Sequence, residues 1–127
     1  DILNRMPGVR SARWAGGHGD DAENLALLLR QVDDVPDAER TARFVCAMAL
    51  VLPGGAEHVE RATMEGRLGR EPRGTNGFGY DPILYREGRS MAELSDEEKD
   101  AVSHRGKALR AFAQLLEATL QSRQLQN

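Results

Sequence analysis

The alternation of apolar and polar positions divides the chain into a small number of elements. Leu25, Leu28 and Leu29 recur at helical spacing behind Asp20 and Asp21, which predicts a capped helix over residues 21–31. Residues 41–52 alternate as a strand. Phe44, Cys46, Met48, Leu50 and Leu52 line one face, and Val45, Ala47, Ala49 and Val51 line the other. Both faces are apolar, so the pattern predicts a strand central in its sheet. Pro53-Gly54-Gly55 is a turn, and residues 58–68 form a second, more polar strand, antiparallel to the first. Residues 80–85 read as a short strand. Ser95-Asp96-Glu97-Glu98 is a capping box that opens a short helix to about Val102. Ser103 caps a long helix to about Gln121, with Leu109, Phe112, Leu116 and Leu120 as its buried stripe. Gln121 to Asn127 is polar and is expected to fray. Residues 1–19 are irregular, and residues 33–39 form an acidic loop. The order α-β-β-β-α predicts an α/β or α+β layer of helices on a mixed sheet.

Composition narrows the classes without choosing a function. The chain has 127 residues, 40% of them hydrophobic and 29% charged, which suits one soluble domain over residues 1–127. No apolar run reaches the roughly 18 residues of a membrane-spanning helix. Net charge is −3, from 17 basic and 20 acidic side chains, which argues against a general nucleic-acid binder. The single cysteine, Cys46, sits in the most apolar stretch, where a buried inert thiol is expected. With no disulfide to form and no secretory signal, a cytoplasmic setting is expected. His18, His58 and His104 lack metal-ligand spacing, and no P-loop or nucleophile elbow is present.

Three clusters carry candidate chemistry. In Gly77-Phe78-Gly79-Tyr80-Asp81-Pro82, glycines flank an aromatic ring in a loop, so backbone can approach a ligand closely. A base stacked on such a ring gains about 1–3 kcal/mol. A tight turn with its aromatics folded inward fits the same spacing. Ser103-His104-Arg105 opens a helix, where backbone N–H groups and two side-chain donors could read a carbonyl or hold a phosphate. A simple N-cap with two solvated residues fits as well. Arg13, between Ser11-Ala12 and Trp14-Ala15-Gly16, offers a guanidinium for an anion, with Trp14 a core candidate. Lys99 is one of two lysines in an arginine-rich chain.

Taken in order, these pieces resemble the inosine triphosphate pyrophosphatases, or XTP/dITP diphosphatases. The resemblance runs through Pro7-Gly8-Val9, Ser11-Ala12-Arg13-Trp14-Ala15-Gly16, Asn24 and Arg43-Phe44-Val45-Cys46. It continues through Glu71-Pro72-Arg73-Gly74, Gly77-Phe78-Gly79-Tyr80-Asp81-Pro82-Ile83, Ala92-Glu93-Leu94, Glu98-Lys99 and Ser103-His104-Arg105-Gly106.

The resemblance implies a two-lobed α/β fold, a mixed sheet with flanking helices, incomplete at its N-terminus. It implies hydrolysis of ITP, dITP and XTP to monophosphate and pyrophosphate with Mg²⁺, in a cytoplasmic homodimer. Substrate-binding residues fall on Phe78, Gly79, Tyr80, Asp81, Lys99, His104 and Arg105, with Arg13 and Ser103 as supporting candidates. Phe78, with Tyr80 nearby, would stack the purine, and donors from His104 and Arg105 would favour a 6-oxo base. The family's triphosphate loop and its acidic metal-binding motif find no counterpart here and are expected upstream of Asp1. This implies a C-terminal, base-reading portion with neither catalytic nor metal-ligating residues of its own. Two other readings stay open: a module that binds a purine nucleotide without turnover, and a folded remnant that dimerises.

Overall fold

The structure is a computed structural model that describes residues 1–125, with side chains described through residue 122. In chain order it contains α1 (Asp21–Gln31), β1 (Thr41–Val51), β2 (Glu57–Leu68), β3 (Leu84–Arg86), β4 (Arg89–Ser90), α2 (Asp96–Val102) and α3 (His104–Leu125). Short 3-10 turns cover Gly8–Arg13, Asp37–Glu39 and Met91–Glu93. The four strands form one sheet in the order β1-β2-β3-β4. Each strand runs antiparallel to its neighbour, so among the described residues the expected mixed sheet is an antiparallel one. The observed registers, Leu68 with Leu84 and Arg86 with Arg89, are both antiparallel, so neither link makes the crossover that a parallel pair needs.

Two compact units divide the chain. The first comprises Asp1–Arg43 with Glu65–Lys99, the second Phe44–Met64 with Asp100–Asn127. In the first, α1 runs over the expected residues. Asp20 caps it, its Oδ1 accepting the Glu23 N–H at 3.1 Å. Leu25 and Leu28 bury one face against Ile83, and Leu3, Trp14, Leu29, Leu68 and Tyr80 pack around them. Full burial of one such side chain contributes about 1.5–3 kcal/mol. Asn24, 1% exposed, fastens the preceding loop to this helix. Its Oδ1 accepts the Ala15 N–H at 2.7 Å, and its Nδ2 donates to the Ala12 carbonyl at 3.0 Å. Arg40, 2% exposed, donates to the carbonyls of Val32, Leu68 and Gly69, tying the segment after α1 to the end of β2. A buried guanidinium is tolerable because its donors are spent in this way.

The segment predicted as a strand over residues 80–85 is a turn as far as Ile83. Backbone bonds from Ile83 and Leu84 to the Tyr80 carbonyl close it. The pairing that follows is a two-residue hairpin, β3 to β4, through Glu87 and Gly88 at φ +54° and +81°. Both corner residues are left-handed, which matches the twist of the flanking strands. A second capping box, Ser90 with Glu93, opens the turn Met91–Glu93.

The second unit holds most of the β1–β2 hairpin and α3. β1 is an edge strand, not a central one. Its even residues, Phe44 to Leu50, are half-buried, whereas Val45, Ala47, Ala49 and Val51 are exposed. An apolar face is buried only where another layer covers it, and alternation alone does not say which faces are covered. α3 differs in the same way. Leu109 and Leu120 are exposed at 57% and 53%, while Ala108 is buried and Phe112, Leu115 and Thr119 are half-buried. Phe112 and Leu116 of the predicted stripe are thus half-buried as expected, while Leu109 and Leu120 give way to Ala108, Leu115 and Thr119 on the covered face. α3 also passes the expected end at Gln121, and the fraying expected at residues 126 and 127 lies outside the described residues.

Candidate functional site

The glycine-rich loop of the first unit is held by side chains that converge on it. Gly74, at φ +84°, lies so close to the Ala92 backbone that a Cβ there would collide with it. Asn76 stitches the loop to residues 92–96. Its N–H donates to the Ala92 carbonyl at 3.0 Å, and its Nδ2 donates to the Leu94 carbonyl and to Asp96 Oδ1, both at 2.9 Å. The centre of the arrangement is Asp81, 3% exposed. Its Oδ2 accepts the Phe78 N–H at 3.0 Å and the Lys99 ammonium at 2.6 Å. Lys99 comes from the last turn of α2, and its side chain is 19% exposed. A carboxylate this deeply buried is stable only when charge and hydrogen bonds compensate it, and here both do.

Two features set the presentation of Phe78. The Lys99 Nζ lies 5.1 Å from its ring centroid, a cation–π distance. The ring itself is 56% exposed, unusual for phenylalanine beside a buried ion pair. Gly77, at φ +78°, leaves room for this packing. A Cβ there would strike the Asp81 carboxylate and come within 2.8 Å of Lys99 Nζ. Gly79 donates its N–H to Asp21 Oδ2 at 3.1 Å. Phe78, Gly77, Asp21, Leu25 and Pro82 share an open depression of about 390 Å³, within the size range of small-ligand sites.

Tyr80 behaves differently from Phe78. It packs on the Leu25–Leu28–Ile83 cluster, and its hydroxyl donates to the Ser11 carbonyl at 2.6 Å. Burial, and then the charge of Asp21, pushes the phenol above its ordinary pKa. Tyr80 is therefore an anchor for the loop and not a second stacking plate, a distinction that the spacing of the two aromatics does not reveal.

The first unit thus gathers Phe78, Gly79, Tyr80, Asp81 and Lys99. Arg13 is exposed at the end of its 3-10 turn, and Trp14 joins the core with Nε1 donating to Gln31 Oε1 at 2.7 Å. Ser103, His104 and Arg105 lie together in the second unit. Ser103 is buried, and its hydroxyl accepts the Gly106 N–H at 2.9 Å, the predicted cap of α3. His104 packs on Phe44, with ring centroids 5.2 Å apart and planes tilted by 58°. Arg105 is exposed on the first turn.

Sequence reasoning missed Asp21 and Asn76. Asp21 was expected to act as a helix-cap acid, and its partner lies 58 residues away, beyond any local signal. Among the described residues no group of three or more His, Cys, Asp or Glu side chains could hold a metal, so these residues do not fit the Mg²⁺ that the resemblance implies. No helix among them is long and apolar enough to cross a membrane.

Comparison with known proteins adds an independent line. Residues 1–115 match the model of the Ham1 family. The chain is 55% identical over 122 residues to a dITP/XTP pyrophosphatase of Streptomyces coelicolor, covering 94% of this chain and 61% of that one. It resembles the crystal structure of a nucleoside-triphosphatase, or dITP/XTP pyrophosphatase, from Mycobacterium abscessus with a TM-score of 0.78 at 60% identity. That match covers 88% of this chain and 60% of the other. The Ham1 protein of Staphylococcus aureus superposes with a TM-score of 0.87 at 38% identity, over 93% of this chain and 62% of that one. The chain therefore spans about three fifths of the length of these relatives.

Proposed function

The chain belongs to the Ham1 family, and on that premise we propose that it serves the hydrolysis of non-standard purine nucleoside triphosphates. The substrates are ITP, dITP and XTP, the products a monophosphate and pyrophosphate, and the share carried by residues 1–127 is recognition of the base. The observation that supports this most directly is the presentation of Phe78. An exposed ring is held on a loop whose backbone is fixed by a buried carboxylate, with a cation over the ring. Fixing the ring in advance removes the ordering cost that a mobile side chain would add to binding.

The other assignments follow the resemblance. His104 and Arg105 donate to a 6-oxo purine, where adenine would present a donor of its own, and Ser103 supports them by shaping the helix start. Lys99 reaches the nucleotide from its place beside Phe78, and Arg13 offers a charge to an anion. Asp81 contributes through Phe78 and Lys99, whose positions it fixes. Mg²⁺ would neutralise the phosphates in the whole enzyme, with donors other than the residues described here.

Titration calorimetry of the chain with ITP and with ATP tests the reading. We expect ITP to bind at least about tenfold more tightly, since a site that hydrogen-bonds one base edge penalises an edge of opposite polarity. Phe78→Leu should cost between about fivefold and a hundredfold of ITP affinity, the range for one base–aromatic stack. Equal affinities for ITP and ATP would sink the proposal.

A second reading, self-association as a homodimer, draws support from the exposed strand β1. Val45, Val51 and the neighbouring Val59 are 45%, 63% and 67% exposed on an edge hairpin, a surface that tends to pair. Sedimentation equilibrium of the unaltered chain and of a Val45→Lys, Val51→Lys variant would show a dimer lost on substitution. A monomer in both cases discards this reading.

A further inference from the structure

The two aspartates that open α1 do different things. Asp20 is the N-cap, accepting the Glu23 N–H. The cap is thereby filled, and the carboxylate of Asp21, first residue of the helix, is turned instead to the Gly79 N–H at 3.1 Å. One residue earlier, the Phe78 N–H is accepted by Asp81 at 3.0 Å. Consecutive amide groups on either side of the Phe78 side chain are therefore each held by a carboxylate, and the two carboxylates come from different parts of the chain.

This arrangement matters because local stiffness cannot aim the ring. Phe78 stands between Gly77 at φ +78° and Gly79 at φ +61°, residues with the widest backbone freedom. Asp81 lies three residues away, so its bond shapes the loop from within. Asp21 ties the same loop to a helix that is itself seated on the core by Leu25 and Leu28. Asp21 and Phe78 also line the same depression.

We propose that Asp21 is a positioning residue for the purine nucleotide: by holding the Gly79 N–H, its carboxylate fixes the Phe78 ring in the attitude that receives a base. This rests on the reading of Phe78 as the stacking surface. The residue touches no substrate atom; it acts through the loop.

The test is a double-mutant cycle on ITP affinity, measured by calorimetry. Asp21→Ala should weaken binding by about fivefold to tenfold, the effect of losing one partly solvated, charge-assisted hydrogen bond. Asp21→Asn, which keeps an acceptor oxygen, should lose about half as much on a logarithmic scale. In a Phe78→Leu background the same Asp21→Ala change should alter affinity by less than about twofold, because its route to the nucleotide is gone. Equal losses in both backgrounds overturn the proposal. So does a melting temperature that falls by more than about 5 °C in Asp21→Ala, which would mark a general structural role.

A second measurement needs no nucleotide. In the ¹⁵N-labelled chain the Gly79 amide proton should move upfield in Asp21→Asn, as its hydrogen bond loses the charge of the acceptor. An unmoved Gly79 signal overturns the clamp itself. Failure of the unaltered chain to prefer ITP over ATP would instead strike the functional reading, with the amide signal still deciding whether the clamp exists.

Discussion

The glycine-rich loop over residues 74–81 and the β1–β2 hairpin are fixed in opposite ways. The hairpin is regular. Its strands are hydrogen-bonded neighbours, and most of their residues alternate between half-buried and exposed positions. Many similar bonds share the load. The loop has three glycines at positive φ and no repeating pattern. A few unlike bonds hold it, and two of them, from the Phe78 N–H and from Lys99, meet on one oxygen of Asp81. Order obtained from repetition is robust to substitution, and order obtained from convergence is not. The region built by convergence is also the one that presents an exposed aromatic ring.

The sharpest break of this contrast is Asp81→Leu. The substitution strands the largely buried Lys99 ammonium and the Phe78 N–H together. We expect a loss of about 3 kcal/mol in urea denaturation, the lower part of the range for removing one partner of a buried ion pair, because Lys99 keeps some solvent. Val45→Thr on the exposed face of β1 should stay within about 0.5 kcal/mol. Comparable losses at the two sites would show that the loop is no more convergent than the hairpin.

Glycine substitutions sharpen the comparison at a smaller scale. Gly77 and Gly54 both have positive φ, +78° and +103°, so an alanine is strained at either. At Gly54, in the hairpin turn, a Cβ meets nothing within 4 Å, and the cost should be the backbone strain alone, about 1–2 kcal/mol. At Gly77 the Cβ strikes Asp81 and crowds Lys99. Gly77→Ala should therefore exceed Gly54→Ala by at least about 1 kcal/mol in the same denaturation experiment. Equal costs would mean that the Asp81–Lys99 pair can shift aside without loss.

The same distinction explains what could be read from the sequence. The helix α1, the hairpin, the Ser95–Glu98 box and the Ser103 cap rest on local periodicity or on bonds between residues three apart, and each lies where the pattern puts it. The Ser90–Glu93 box has the same three-residue spacing, a signal that could have marked it. The faces of β1 and α3 were legible only in part, because burial depends on what covers a face and not on its own alternation. Val45 and Leu109 satisfy every local rule for core residues and remain exposed. For the candidate site, the spacing of Phe78 between glycines marked a loop able to meet a ligand. That Tyr80 is an anchor, that Asp81 joins Phe78 to Lys99 and that Asp21 reaches Gly79 are facts of tertiary placement, over separations of 69, 18 and 58 residues respectively.

Acid should separate the two regions more gently. α2 carries Lys99, and its first turn is held by Glu98, whose backbone N–H donates to Ser95 Oγ at 3.2 Å while its own carboxylate accepts the Ser95 N–H at 3.1 Å. Arg89 donates to the same carboxylate at 2.7 Å, and that hydrogen bond, followed by those from Ser95, lowers the Glu98 pKa from 4.5 to about 2. The folded state thus binds this proton less readily than the unfolded one. The contribution of Glu98 to stability is complete above about pH 4.5 and fades as pH falls toward 2. The carboxylate is exposed, so the effect is small and is further screened by salt. The melting temperature of Glu98→Gln should lie slightly below that of the unaltered chain at pH 7, and the gap should close between about pH 4.5 and 2. Over the same interval the amide signals of α2 and of Phe78 should respond in the unaltered chain more than in the variant, while those of the hairpin tip at residues 52–56 respond alike in both. A gap that stays constant with pH would mean that the Arg89–Glu98 contact contributes nothing to holding the helix that carries Lys99.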